Sequence, residues 1–139
     1  MTEKRFLGLD IGTKRIGIAI SDPLGIFAQP LKTIPRQPDD VSASEIFQLY
    51  KEFNAEEIIA GLPKHMNGTI GEQANDVLAY VKILEEKLNK KVLFEDERLT
   101  SKSAERILVE QKKKPSRNKA LTDMASAAII LQQYLNRRR

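Results

Sequence analysis

Three acidic positions in this 139-residue sequence sit where a carboxylate is out of place unless it binds something. Asp10 ends the short apolar run from Phe6 to Leu9 and precedes Ile11-Gly12-Thr13. Aspartate is a poor strand residue, so its charge there must be solvated, hydrogen-bonded or bound to a cation. The alternative is a turn-former that accepts backbone N–H groups ahead of Gly12. Glu95, Asp96 and Glu97 follow Val92–Phe94, another short apolar run. Three adjacent acids repel unless something positive lies close; Arg98 is one partner, and a solvated turn is the other reading. Strand alternation puts Glu95 and Glu97 on one face and Asp96 on the other.

Asp123 is the most informative. At 100° per residue it falls in line with Ala127, Ile130 and Tyr134, beside a wider stripe of Leu121, Met124, Ala125, Ala128, Leu131 and Leu135. A carboxylate in an apolar stripe must be compensated or protonated. Its competing role is a first-turn acid that complements the helix dipole. Brought together, three such acids would offer the all-oxygen environment that Mg²⁺ or Mn²⁺ prefers. Two such ions about 4 Å apart activate water and stabilise the leaving oxygen in phosphodiester hydrolysis.

Other chemistries lack their parts. With no cysteine and one histidine, disulfide scaffolds, thiol catalysis and Cys/His zinc sites are excluded, and any Ser-His-Asp triad would have to use His65. The net charge of +4 conceals an asymmetry. Lys112, Lys113, Lys114, Arg117 and Lys119 form one basic cluster, and Arg137–Arg139 a second; without them the rest of the chain is mildly acidic. A local basic cluster suits a polyanion such as DNA or RNA; it equally suits a solubilising loop and a frayed tail over 136–139.

The elements that must position these groups are legible as alternating segments. Phe6–Asp10 and Arg15–Ser21, the latter with Ile16, Ile18 and Ile20 in alternation, read as a hairpin turned at Gly12. Gly25–Ile34 reads as a strand with Pro30 inside, hence at a sheet edge. After the breaker cluster Pro35–Asp40, a helix starts at Ser42 or Ser44 and carries Ile46, Leu49, Tyr50 and Phe53. Glu57–Leu62 is a buried strand, Pro63–Gly71 a loop, and Val77–Leu88 an amphipathic helix. Val92–Phe94 is a strand, Leu99–Val109 a helix and Ala120–Leu135 the last helix. Three antiparallel strands followed by parallel βαβ units give one α/β domain over 1–139: a five-stranded mixed sheet with helices on both faces. Ligands in such sheets bind beyond the carboxyl ends of the strands, where Asp10 and Glu95–Glu97 fall. No apolar run approaches the roughly 20 residues of a membrane span and no signal peptide opens the chain, so a soluble cytoplasmic protein is expected.

Four ordered motifs carry a resemblance over nearly the whole chain: Gly8-Leu9-Asp10-Ile11-Gly12-Thr13-Lys14-Arg15-Ile16-Gly17, Gly61-Leu62-Pro63-Lys64-His65-Met66-Asn67-Gly68-Thr69, Asp96-Glu97-Arg98-Leu99-Thr100 and Asp123-Met124-Ala125-Ser126-Ala127. The sequence resembles the bacterial YqgF family, also called RuvX-like, of pre-16S rRNA nucleases with an RNase H-like fold. That resemblance implies a metal-dependent endonuclease of structured nucleic acid. Its substrate would be the 5′ end of pre-16S rRNA, on ribosomal precursor particles, or a branched DNA junction. It implies Asp10, Glu97 (preferred over Asp96) and Asp123 as catalytic ligands of Mg²⁺ or Mn²⁺.

Supporting nucleic-acid contacts are expected from Thr13, Lys14 and Arg15 after Asp10, from Lys64 and Asn67 in the loop, and from Arg98. The Lys112–Lys119 cluster would guide a strand toward Asp123 with a salt-dependent grip. Junction resolution would favour a homodimer, whereas trimming would not require one and a monomer would serve. Two other classes stay open. Asp10-x-Gly12-Thr13 also resembles the phosphate hairpin of sugar-kinase and actin-like ATPases, which need a second domain. A non-catalytic nucleic-acid binder on the same scaffold would bind without cleaving.

Overall fold

The computed structural model describes residues 4–63, 71–96 and 119–138. The elements are β1 (Arg5–Ile11), β2 (Arg15–Ser21), β3 (Ala28–Pro35), α1 (Asp39–Glu52), β4 (Ala55–Leu62), α2 (Glu72–Leu88), β5 (Leu93–Asp96) and α3 (Lys119–Arg138). The helix expected over Leu99–Val109 lies outside the described residues.

The sheet order is β3-β2-β1-β4-β5. β1, β2 and β3 pair antiparallel, while β4 and β5 join β1 in parallel. This is the five-stranded mixed sheet expected from the sequence. Pro30 does lie in an edge strand, opposite Ala19, where its missing N–H costs no ladder bond. Because β1, β4 and β5 are parallel, Ile11, Leu62 and Asp96 all end at the same edge of the sheet.

Side-chain alternation divides the core in two. Leu7, Leu9 and Ile11 of β1 and Ile16, Ile18 and Ile20 of β2 pack with Ile46 of α1 and Val77, Tyr80 and Leu84 of α2. The opposite face carries Phe6, Ala19 and Ile59, covered by Ala127, Ile130, Leu131 and Leu135 of α3. Burying each large aliphatic side chain contributes about 1.5–3 kcal/mol relative to leaving it in water. Helices therefore lie on both faces, and among the described residues α3 is the helix that covers the second.

Several boundaries differ from the sequence reading. α1 starts at Asp39 rather than Ser42 or Ser44, because Pro38 in extended geometry serves as its N-cap and Asp39 and Asp40 occupy the first turn. α3 runs past Leu135 to Arg138, so residues 136–138 of the expected basic tail form its last turn. Both stripes of α3 meet the sheet, since Leu131 and Leu135 of the wider one are fully buried against it, but its first residue is not. Leu121 is 52% exposed, whereas Ala127 and Ile130, in line with Asp123, are fully buried.

Candidate active site

Asp10 shares its face of β1 with Phe6 and Gly8, the face under α3. Its direct partner across the hairpin is Gly17. Hydrogen in place of a side chain at Gly17 lets α3 touch the sheet: a Cβ there would stand 2.1 Å from the carbonyl oxygen of Asp123 and 3.0 Å from its Cβ. Gly8 does the same further along, where a Cβ would meet Leu131 at 2.7 Å and the carbonyl of Ala127 at 2.8 Å. The first turns of α3 are thus laid over the neighbour of Asp10, so that Asp10 and the backbone of Asp123 both adjoin Gly17 toward the carboxyl edge of β1. The β1–β4 register pairs Leu9 with Ala60, and its next step brings Asp10 alongside Gly61. Glycines therefore flank Asp10 on both sides of its row.

Asp123 is partly buried, and its Oδ2 accepts a 2.8 Å hydrogen bond from Nε of Arg15. The helical-wheel placement of this acid among apolar neighbours is therefore matched by a specific cation, which offsets part of its desolvation. Arg15 stands at the start of β2, so one expected phosphate contact touches one expected ligand directly. Thr13 and Lys14 are exposed at the hairpin tip beside it.

The acidic run separates as alternation requires. Glu95, opposite Gly61, faces α3; Asp96, opposite Leu62, lies on the face of α1 and α2. Glu95 is 4% exposed and already engaged. It accepts a 2.9 Å bond from Nε2 of Gln133 and pairs with the guanidinium of Arg137. It pins the last turns of α3 to β5. Glu95→Gln is therefore expected to cost about 2 kcal/mol of stability, since bonds to a charged group contribute about 1.5–3 kcal/mol. A lowered urea midpoint with full activity per folded molecule is the expected result; lost activity at an unchanged midpoint would make Glu95 a ligand instead.

Glu97, Lys64, Asn67, Arg98, Lys112, Lys113, Lys114 and Arg117 lie outside the described residues, as does the side chain of Lys119. Among the described residues no group of three His, Cys, Asp or Glu side chains forms a metal site by itself. Asp10 and Asp123 supply two hard carboxylates, a donor set that suits an oxygen-seeking divalent ion and not a thiophilic one. Among the described residues, too, no helix is long and apolar enough to cross a membrane.

Sequence reasoning missed Arg36, which lies in the breaker cluster. It is buried beneath the hairpin tip, with NH1 donating to the carbonyl of Gly12 at 3.1 Å. An arginine between prolines, followed by Asp39 and Asp40, was its only trace.

Comparison with known proteins agrees with this fold. Two T. thermophilus and fowlpox virus proteins share the fold. RuvC of T. thermophilus, solved in complex with a Holliday junction substrate, superposes with a TM-score of 0.62 over 97% of this chain and 95% of that one, at 14% identity. The fowlpox virus Holliday junction resolvase gives 0.58 over 97% and 99%, at 13% identity. Much closer in sequence is a Clostridium kluyveri protein named "Putative pre-16S rRNA nuclease", 44% identical over 133 residues, covering 96% of this chain and 97% of that protein. A Clostridium beijerinckii protein of the same name is 43% identical over 132 residues, covering 95% and 96%. The family model described as "RuvX: Holliday junction resolvase" matches residues 4–137, and the chain belongs to that RuvX family.

Proposed function

We propose that this protein is a divalent-metal-dependent endonuclease that hydrolyses phosphodiester bonds in structured nucleic acid, and that its substrate is the 5′ end of pre-16S rRNA. The observation that supports this reading is that Asp10 and the backbone of Asp123 adjoin the same residue, Gly17, toward the carboxyl edge of β1. Two carboxylates that far apart in sequence do not share a strand edge for stability, since each must be desolvated. Glu97 is the proposed third acid; alternation supports it, because Asp96 faces the other way and Glu95 is engaged by Arg137.

Mg²⁺ or Mn²⁺, when bound, supplies an activated water and a Lewis acid for the leaving oxygen. The chain's own residues do the rest. Asp10 and Asp123 hold the reacting edge negative and in fixed geometry. Arg15 neutralises Asp123 and, with Thr13 and Lys14, presents donors to the phosphates on either side of the scissile bond. Lys64, Asn67, Arg98 and the cluster Lys112, Lys113, Lys114, Arg117 and Lys119 extend this grip along the backbone, reading shape rather than base sequence. A role on ribosomal precursor particles would place the protein in the cytoplasm. The second reading is resolution of branched DNA, favoured by the family description and by the likeness to two resolvases; it would favour a homodimer.

The test is cleavage of a pre-16S 5′ leader and of a four-way DNA junction, each with Mg²⁺, with Mn²⁺ and with chelator. Metal-dependent cutting of the leader in preference to the junction is the expected outcome. The reverse preference selects the second reading, and binding without cleavage of either would end both.

A further inference from the structure

Arg36 is 4% exposed and ties three elements together. Its Nε donates to Asp39 Oδ1 of α1 at 3.2 Å, and NH1 and NH2 donate to Asp76 Oδ2 and Oδ1 of α2 at 2.6 and 3.0 Å. The guanidinium lies 4.9 Å over the ring of Tyr80, whose hydroxyl is fixed by Ser42 at 2.6 Å. From this anchorage Arg36 reaches the hairpin tip twice: NH1 donates to the carbonyl of Gly12 at 3.1 Å, and its backbone N–H to the carbonyl of Lys14 at 2.9 Å. The third acceptor of the tip, the carbonyl of Arg15, is taken by the N–H of Gly12 at 2.8 Å.

The carbonyls of residues 12, 14 and 15 are thus all satisfied within the protein. A phosphate approaching the tip meets the Thr13 hydroxyl, the Lys14 ammonium and the Arg15 guanidinium with these repelling lone pairs already engaged. Arg36 adds no attraction of its own, because Asp76 and Asp39 outnumber it in charge. Its contribution is geometric.

We propose that Arg36, held by Asp76, is a positioning residue that shapes the tip at Gly12–Arg15 into a phosphate grip for the nucleic-acid substrate. This rests on the nuclease reading above. Asp10 itself does not depend on the node, because the ladder pairs Asp10 with Gly17 and Ile11 with Ile16. Loosening Arg36 should therefore weaken substrate binding and spare the chemical step. A planar fork that makes these bonds together has no lysine equivalent.

Arg36→Lys is the test, with Asp76→Asn as a milder second variant at a partly exposed carboxylate. In the full chain, Arg36→Lys is expected to raise KM for a labelled RNA leader about tenfold with kcat within about twofold. Its salt dependence should flatten by about one phosphate contact. Amide hydrogen exchange at Thr13 and Lys14 should quicken while that of Leu9 and Ile18 does not. Asp76→Asn should show the same pattern, about threefold in KM. A fall in kcat at constant KM, or unchanged KM with unchanged exchange at the tip, would overturn the proposal. Wild-type protein that neither binds nor cuts nucleic acid sinks the nuclease reading and the phosphate grip with it; wild-type activity matched by both variants sinks the role of Arg36 alone.

Discussion

Asp10→Asn is expected to abolish cleavage, by about 10³-fold or more, with thermal stability close to wild type. The substitution keeps shape and removes one negative charge. At a metal-assisted site that charge stabilises the ion and, through it, the transition state, and 10³-fold corresponds to about 4 kcal/mol of barrier. Folding should tolerate the change because β1 is held by its ladders to β2 and β4 and by Leu7, Leu9 and Ile11 in the core. Asp123→Asn should be comparably inactive, with a small further change in stability from its weakened bond to Arg15. Single-turnover cleavage in Mn²⁺ beside a urea melt checks both. Activity within tenfold of wild type in either variant removes that residue from the mechanism.

Gly17→Ala should damage fold and activity together. The added Cβ would lie 2.1 Å from the oxygen and 2.4 Å from the carbon of the Asp123 carbonyl, both backbone atoms that no rotamer change can move. The first turns of α3 must lift off β2. Overpacking of this kind costs about 1–3 kcal/mol and more when backbone must shift, so a loss of about 3 kcal/mol is expected in urea unfolding. Lifting α3 also carries Asp123 away from Asp10. A displacement of about 1 Å is enough to cost roughly 100-fold in rate, so folded Gly17→Ala should still be a poor enzyme. A wild-type urea midpoint would mean that α3 does not rest on Gly17.

How far the sequence foretold this arrangement depends on the kind of signal. Period-two alternation at Ile16, Ile18 and Ile20 placed β2 correctly, and Pro30 placed β3 at the edge, because both follow from local backbone chemistry. The helical wheel found Asp123, since a carboxylate in line with buried Ala127 and Ile130 is anomalous wherever the helix docks. What the wheel could not show was that both stripes dock, each over only part of its length. Tertiary contact decided that, through the glycines at positions 8 and 17, and left Leu121 in solvent. Glu95 and Arg137 were legible only as members of charge runs; their pairing joins residues 42 apart. Arg36 was invisible for the same reason, as its partners come from a hairpin and two helices. Local rules recover elements and anomalies, while buried polar nodes belong to the assembled fold.

The contact between Arg15 and Asp123 spans 108 positions of the chain. During synthesis the hairpin is made early and α3 late, so a nascent chain stalled before α3 lacks both the cover over Phe6, Ala19 and Ile59 and the second carboxylate. Such a fragment has Asp10 without Asp123, so the proposed site is complete only once α3 has emerged and docked over Gly17.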